Sequence, residues 1–159
     1  MALQKVLQEI PNDLTAVYCN RKHPERFWVG QIVAQSTDAI VLDSVDNHGH
    51  RDGLCYVWIP YIYRIESECQ YLHGLKQGSL CPPKGKTAKN PWALMAQHME
   101  GYCVRVVYRD ENRKKAALGV VRTVFPHSIL LQTRRPDGVY TQKQLIERGN
   151  ILFLKIENL

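Results

Sequence analysis

Histidines and cysteines are the residues of this chain whose spacing first suggests a chemical role. The pattern Cys-x3-His occurs twice, beginning at Cys19 and at Cys69, and His48–Asp52 holds two histidines and an aspartate. A structural zinc site usually has paired ligands such as Cys-x2-Cys with a second pair at a fixed distance, and the sequence has no such pair. We therefore predict no bound metal and no cofactor.

Catalytic motifs are also missing from the sequence. It contains no Gly-x-Ser-x-Gly, no glycine-rich phosphate loop and no pair of carboxylates isolated in apolar sequence. We predict that the protein is not an enzyme.

Cations concentrated in the second half are the strongest functional signal. Residues 1–74 contain six Lys/Arg against nine Asp/Glu, and residues 75–159 contain fifteen against six, so the halves carry −3 and +9. Tyr102, Tyr108, Phe125 and Tyr140 are interleaved with these cations. Guanidinium groups bind phosphates and aromatic rings stack on unpaired bases, so the pattern favours RNA or single-stranded DNA as a ligand.

The candidate contacts are basic residues of this half and the turn at 148–150. We expect Arg148 to contact a base or a phosphate, Arg134 and Arg135 to contact phosphates, and three lysines to form a weak electrostatic arm. Charged residues at hairpin tips are often only solvated turns. The complete set is Arg113, Lys114, Lys115, Arg134, Arg135, Arg148, Gly149, Asn150, Lys84, Lys86 and Lys89.

Length and composition indicate a globular chain. Its 159 residues are 45% hydrophobic, which suits one ordinary domain or two small ones. No apolar window approaches the roughly 20 residues of a membrane helix, and the N-terminus lacks a signal-peptide pattern. Five cysteines without regular spacing fit a reducing compartment. We predict a cytoplasmic location and no membrane partner.

Hydrophobic periodicity predicts the secondary structure of the first half. Ala2–Ile10 places apolar side chains at helical spacing before Pro11, which indicates a short amphipathic helix. Asn47-His48-Gly49 and Asp52-Gly53 mark a hairpin between the third and fourth strands. Five strands are predicted from segments rich in β-branched and aromatic residues, at Thr15–Asn20, Phe27–Gln35, Ala39–Val45, Leu54–Ile59 and Ile62–Glu66.

The same plan returns 89 positions later. Asn90-Pro91 supplies the N-cap and first-turn proline of a second helix, and Gly101 suits its C-terminal end. At this offset the alignment pairs Val17 with Val106, Gly30 with Gly119, Ile40 with Ile129 and Leu42 with Leu131. We expect a shortened hairpin in the second unit, which pairs Asp52-Gly53 with Asp137-Gly138. We also expect a longer final turn, which pairs Ile65-Glu66 with Ile156-Glu157.

Gly30 and Gly119 lie in the middle of the second strand of each unit. A residue without Cβ permits a sharp bend and a close backbone approach, as small closed barrels need, and a β-bulge in an open sheet is the alternative explanation. Gly74–Lys89, with three glycines, two prolines and four lysines, is predicted to be a linker. The domains are then 1–73 and 90–159, joined by 74–89.

A short helix followed by five strands, with glycine in the second, resembles the Sm and Sm-like (LSm) proteins. The resemblance covers residues 2–72 and 91–157, and its sharpest element is Arg148-Gly149-Asn150 before Ile151, which is similar to the Arg-Gly-Asx turn of that family. It implies a mainly β fold of two tandem five-stranded Sm-like, SH3-like barrels, each preceded by a short α-helix. It also implies that the fourth strand of one barrel pairs with the fifth of the next.

In that family the arginine of the turn and an asparagine from the loop between the second and third strands hold a base. Arg148 matches, whereas Phe125–Ser128 and Thr37-Asp38-Ala39 lack the asparagine, and Pro60-Tyr61 replaces the Arg-Gly turn in the first unit. The resemblance therefore implies a site in the second unit only.

A protein-interaction or assembly module is the alternative function. Tyr56, Trp58, Tyr61, Tyr63 and Tyr71 form an aromatic cluster in the acidic half, and aromatic residues are enriched in interface cores. The partner would be another protein, the second barrel or a second copy of the chain, which would pair through strand edges.

Overall fold

The computed structural model describes residue 7 and residues 14–67, 70–78, 87–134, 137 and 139–157. Two 3-10 turns lie at Ile59–Tyr61 and Arg148–Asn150, and the helices are α1 (Gln70–Gly78) and α2 (Pro91–Met99). The strands are β1 (Leu14–Tyr18), β2 (Trp28–Gln35), β3 (Ala39–Val45), β4 (Arg51–Trp58), β5 (Arg64–Ser67), β6 (Cys103–Asp110), β7 (Arg113–Val124), β8 (Ser128–Arg134), β9 (Tyr140–Glu147) and β10 (Ile151–Ile156).

The ten strands form one antiparallel sheet in the order β5-β1-β2-β3-β4-β10-β6-β7-β8-β9. The mainly β class is therefore confirmed. No strand pair among the described residues closes either half into a separate ring, so the two closed barrels stay a prediction. Of the helix expected at Ala2–Ile10, only Leu7 lies within the described residues, and it is helical and buried. No helix in the described part of the chain is long and apolar enough to cross a membrane.

The two halves share their strand register at an offset of 89, and their third and fourth strands also have equivalent bounds. Ala39 and Ser128 begin the third strand of each half, and Arg51 and Tyr140 begin the fourth. A register shift also falls at equivalent places, between Ile32 and Ala34 and between Val121 and Thr123. The predictions of a shortened hairpin and a longer final turn in the second half are wrong, because the offset of 89 does not change at either place. Ile65 corresponds to Leu154, since each pairs with the equivalent residue of the first strand.

Gly30 and Gly119 are required where the second strand meets the third. A Cβ atom on Gly30 would lie 2.5 Å from the carbonyl oxygen of Asp43, and one on Gly119 would lie 2.3 Å from that of Gln132. Both contacts are with backbone, which cannot swing away as a long side chain can. The prediction of a close backbone approach is confirmed.

β4 and β10 join the two halves. Phe153 pairs with Val57, Leu154 with Tyr56 and Lys155 with Cys55. Side chains of both halves accordingly share hydrophobic clusters on the two faces of the sheet. An ion pair between Lys155 and Asp52, at 3.1 Å, links the halves further.

α2 precedes the strands of the second half but packs against β3 and β4 of the first half. It therefore belongs to the junction as well. The Asn90 side chain accepts a hydrogen bond from the Ala93 amide at 3.0 Å, which confirms the predicted N-cap. Trp92, Met95 and Met99 are almost fully buried in the cluster that holds side chains of both halves. Burying each such side chain stabilises the fold by roughly 1.5–3 kcal/mol.

α1 was not anticipated from the sequence. It takes in residues 74–78 of the segment predicted as a linker, and Leu72 and Leu75 pack on the outer face of β1. Residues 79–86 lie outside the described part of the chain, and Ala88 forms a bridge with Ala34.

We predict that Gly30→Ala lowers the free energy of unfolding by about 2 kcal/mol or more, because a new Cβ would overlap backbone atoms. Gly149→Ala is the matched control, since a Cβ there meets nothing within 4 Å, and it should change stability by less than about 0.5 kcal/mol. Urea denaturation followed by circular dichroism measures both. Equal stability of the two variants would contradict the close approach.

Candidate nucleic-acid interface

A cavity of about 670 Å³ lies at the junction of the two halves, beside the start of α2. We call it the junction cavity. Because its walls come from both halves, it depends on the pairing of β4 with β10. The lining residues are Ser36, Asp38, Ala39, Tyr56, Trp58, Lys89, Asn90, Pro91, Trp92, His127, Ser128, Leu145, Glu147, Arg148 and Gly149.

The same loop of each half contributes to this cavity. Asp38 and His127 occupy equivalent positions in the loops between the second and third strands. The first loop is held by Ser36, whose hydroxyl accepts hydrogen bonds from the amides of Asp38 and Ala39 at 3.2 Å. The second loop is tied to the following turn, because the Arg148 amide donates to the carbonyl of His127 at 2.7 Å. The backbone around Arg148 is therefore fixed by two elements.

Arg148 is the cation whose environment points most clearly to a ligand. Its side chain is half-buried against the cavity, and none of the carboxylates within the described residues forms an ion pair with it. Burial raises the pKa of Tyr56, the nearby Arg148 lowers it and Asp38 raises it. Arg148 thus lies close enough to the cavity floor to influence a buried phenol.

Aromatic rings form the floor and one wall of the junction cavity. Tyr56 and Trp92 are buried and meet edge to face with ring centroids 5.7 Å apart, and the Trp92 indole nitrogen donates to the Phe125 carbonyl at 3.1 Å. Trp58 is partly exposed, and the Arg109 guanidinium lies 4.9 Å from its ring centroid. Trp58 is therefore the only one of these three rings that is not buried.

Gly149 has no structural need to be glycine. Its φ is not positive, and a Cβ there would lie in open space. The backbone conformation of this turn therefore does not require glycine at position 149. A glycine on the rim of a cavity leaves the backbone open to close approach by a ligand.

The structure brings together Arg148, Gly149 and Lys89 from the predicted site. Asn150 is exposed at the end of the same turn. The other described candidates lie elsewhere: Arg113, Lys114 and Lys115 begin β7, and Arg134 is the last residue of β8. Arg135, Lys84 and Lys86 lie outside the described residues.

The β6–β7 hairpin reaches across to the first half. Lys114 lies 5.6 Å from the centroid of the Tyr61 ring, and its ammonium donates to the Tyr61 hydroxyl at 3.5 Å. Lys115 is paired with Asp110 at 2.7 Å, which raises the pKa of Lys115. Arg113 is exposed.

Sequence reasoning missed the polar lining supplied by Ser36, Asp38, Asn90 and His127. The repeat carried a usable signal, since Asp38 and His127 coincide at its offset. Trp58 had been assigned to a protein-interaction surface. Nothing in the sequence alone showed that it lines the same cavity as Arg148.

The described histidines, carboxylates and cysteines do not cluster as metal ligands, and Cys19 and Cys55 are buried. No group of three or more His, Cys, Asp or Glu side chains among them is placed to hold a metal ion. Burial raises the pKa of Cys19 and of Cys55 to about 12, so both thiols stay protonated at neutral pH.

No protein-family model matches the sequence, and comparison with curated proteins and with solved structures finds no significant similarity.

We predict opposite shifts of the Tyr56 pKa in two variants. Arg148→Gln should raise it further, because the phenolate loses a nearby positive charge, and Asp38→Asn should lower it, because a negative charge is removed. NMR titration of tyrosine labelled with 13C at Cζ measures both, with Tyr56→Phe assigning the signal. Shifts of the same sign, or none, would contradict the cavity geometry.

Proposed function

We propose that this chain is a non-enzymatic binding module that holds RNA or single-stranded DNA in the junction cavity. The observation that carries the proposal is Arg148, a half-buried guanidinium without an ion-pair partner among the described residues, facing a cavity that also presents Trp58. A half-buried arginine that lines the same cavity as a partly exposed ring suits a phosphate next to an unpaired base.

Each wall of the cavity has a role in this proposal. Trp58 stacks on a base, Arg148 binds the adjoining phosphate or the base edge, and Lys89 adds positive charge at the rim. Asn90 and Ser128 supply hydrogen-bonding groups. The carboxylates of Asp38 and Glu147 can accept hydrogen bonds from exocyclic amino groups, which would favour bases that carry them.

We also propose that the halves are two Sm-like barrels in tandem, as the sequence resemblance implies. The strand order supports this, because in each half the fifth strand lies beside the first and the fourth lies at the other end. The junction pairs β4 with β10, the fourth strand of one half with the fifth of the other. That is the pairing which the resemblance predicts between neighbouring barrels.

We predict that Arg148→Ala weakens binding of a fluorescently labelled 12-nucleotide single strand by roughly tenfold, which corresponds to about 1.4 kcal/mol. Lys143→Ala is the matched control, because Lys143 is an exposed cation of β9 outside the cavity lining and its loss changes the net charge equally. Fluorescence anisotropy at two salt concentrations gives the affinities.

Affinity of the unaltered protein should fall steeply as salt rises, because phosphate binding releases counterions. Equal losses in the two variants would remove the junction cavity from the site. No binding of RNA or DNA at low salt would reject the proposed function.

The free edges of the sheet favour the alternative, an assembly or protein-interaction module. β5 and β9 end the sheet, and no described strand pairs with their outer edges. Arg64 and Glu66 on β5 and Lys143 on β9 are charges of the kind that protect edges from pairing, so this alternative is the weaker one. Light scattering tests the assembly form of this alternative, since a mass near 18.3 kDa in solution excludes self-assembly.

A further inference from the structure

A second cavity, of about 320 Å³, lies beside the β6–β7 hairpin. Three of the described residues that line it are cations, Arg21, Lys22 and Lys114, and none of the described lining residues is a carboxylate. We call it the cation pocket. The other lining residues are Cys19, Asn20, Pro60 and Tyr61.

The charge of this pocket does not follow from the general basicity of the second half. Arg21 and Lys22 belong to the half that carries −3, and they meet Lys114 of the half that carries +9. Like charges placed close together repel, so three cations around one cavity are stabilised when an anion occupies it.

Local contacts position these cations. The Lys22 amide donates to the Asn20 side-chain oxygen at 3.2 Å, which fixes the turn after β1. The Arg21 guanidinium lies 4.9 Å from the centroid of the Tyr63 ring, and Lys114 lies over the ring of Tyr61. The pocket is therefore built by both halves, as the junction cavity is.

The 3-10 turn Ile59–Tyr61 connects the two cavities. Trp58, immediately before it, lines the junction cavity, and Tyr61, its last residue, lines the cation pocket. Each ring is paired with a cation of the β6–β7 hairpin region, Trp58 with Arg109 and Tyr61 with Lys114. At about 2 Å of rise per residue, the two ring-bearing residues are roughly 6 Å apart along the turn.

We propose that the cation pocket binds a second phosphate of the same strand that enters the junction cavity. The ligand is then a single strand of several nucleotides that crosses the junction along Trp58 and Tyr61. This inference rests on the proposed function, because it extends that site. A duplex would fit poorly, since its paired bases cannot stack on either ring.

The test compares two lengths of uridylate, the labelled mononucleotide and a 10-nucleotide strand, in anisotropy titrations with the full-length chain. Lys22→Met with Lys114→Met should weaken binding of the 10-mer by about tenfold and lower the slope of log affinity against log salt by about 0.7, the value for one lost phosphate contact. Binding of the mononucleotide should not change. Methionine keeps the apolar stem over Tyr61, and Lys143→Met is the control that leaves both lengths unaffected.

The outcomes separate this inference from the function on which it rests. If Arg148→Ala weakens binding of the 10-mer and the double variant does not, the strand does not contact the cation pocket and the proposed function stands. Equal loss for both lengths also overturns the path, because one nucleotide site would then explain both. Inorganic phosphate that competes with the mononucleotide and the 10-mer alike at millimolar concentration identifies a free-anion site instead. If neither length binds, the proposed function itself fails.

Discussion

The pairing of β4 with β10 is the interaction on which the rest of the structure depends. It turns two five-stranded halves into one sheet and brings Tyr56 beside Leu154, both buried. α2 then seals one face of the joint, while Trp28 stacks on Phe153 on the other with ring centroids 4.8 Å apart. Because both faces are covered, neither strand can leave without exposing two apolar clusters to water. Each of the two cavities is lined by residues from both sides of this joint.

Side chains, and not the backbone plan, decide which strand edges meet. β4 and β10 are the inner strands, which meet at the junction, and their equivalents in the other half, β9 and β5, are the outer strands at the ends of the sheet. Phe153 and Leu154 of β10 correspond to Arg64 and Ile65 of β5, and Tyr56 of β4 corresponds to Leu145 of β9. The inner strands bury their side chains, whereas Arg64 is exposed and Leu145 is 62% exposed. Burial favours the apolar pair of edges, and charge disfavours the other. The two halves therefore pair through β4 and β10 in preference to β5 and β9.

Local signals made much of the fold predictable. Gly30 and Gly119 were visible because a close backbone approach admits only one residue type, and the cap at Asn90 because its chemistry is local. The alignment failed where it matched Asp-Gly pairs, since similar turn residues do not fix the pairing register. α1 was missed because a glycine-rich, basic segment is typical of linkers. The junction cavity was beyond local reasoning, because only strand pairing brings Asp38 near Arg148.

Covalent linkage of the two halves has a chemical consequence at the joint. In an assembly of identical units, every junction would contain the same set of side chains. Here equivalent positions have diverged, with Trp58 in one half where Glu147 stands in the other, and Ile59 where Arg148 stands. The joint therefore combines a stacking ring from one half with a guanidinium from the other, which no single unit provides. A chain with two similar halves can build one asymmetric site from a repeated plan, and the proposed strand would cross it in one direction, because the junction cavity and the cation pocket differ.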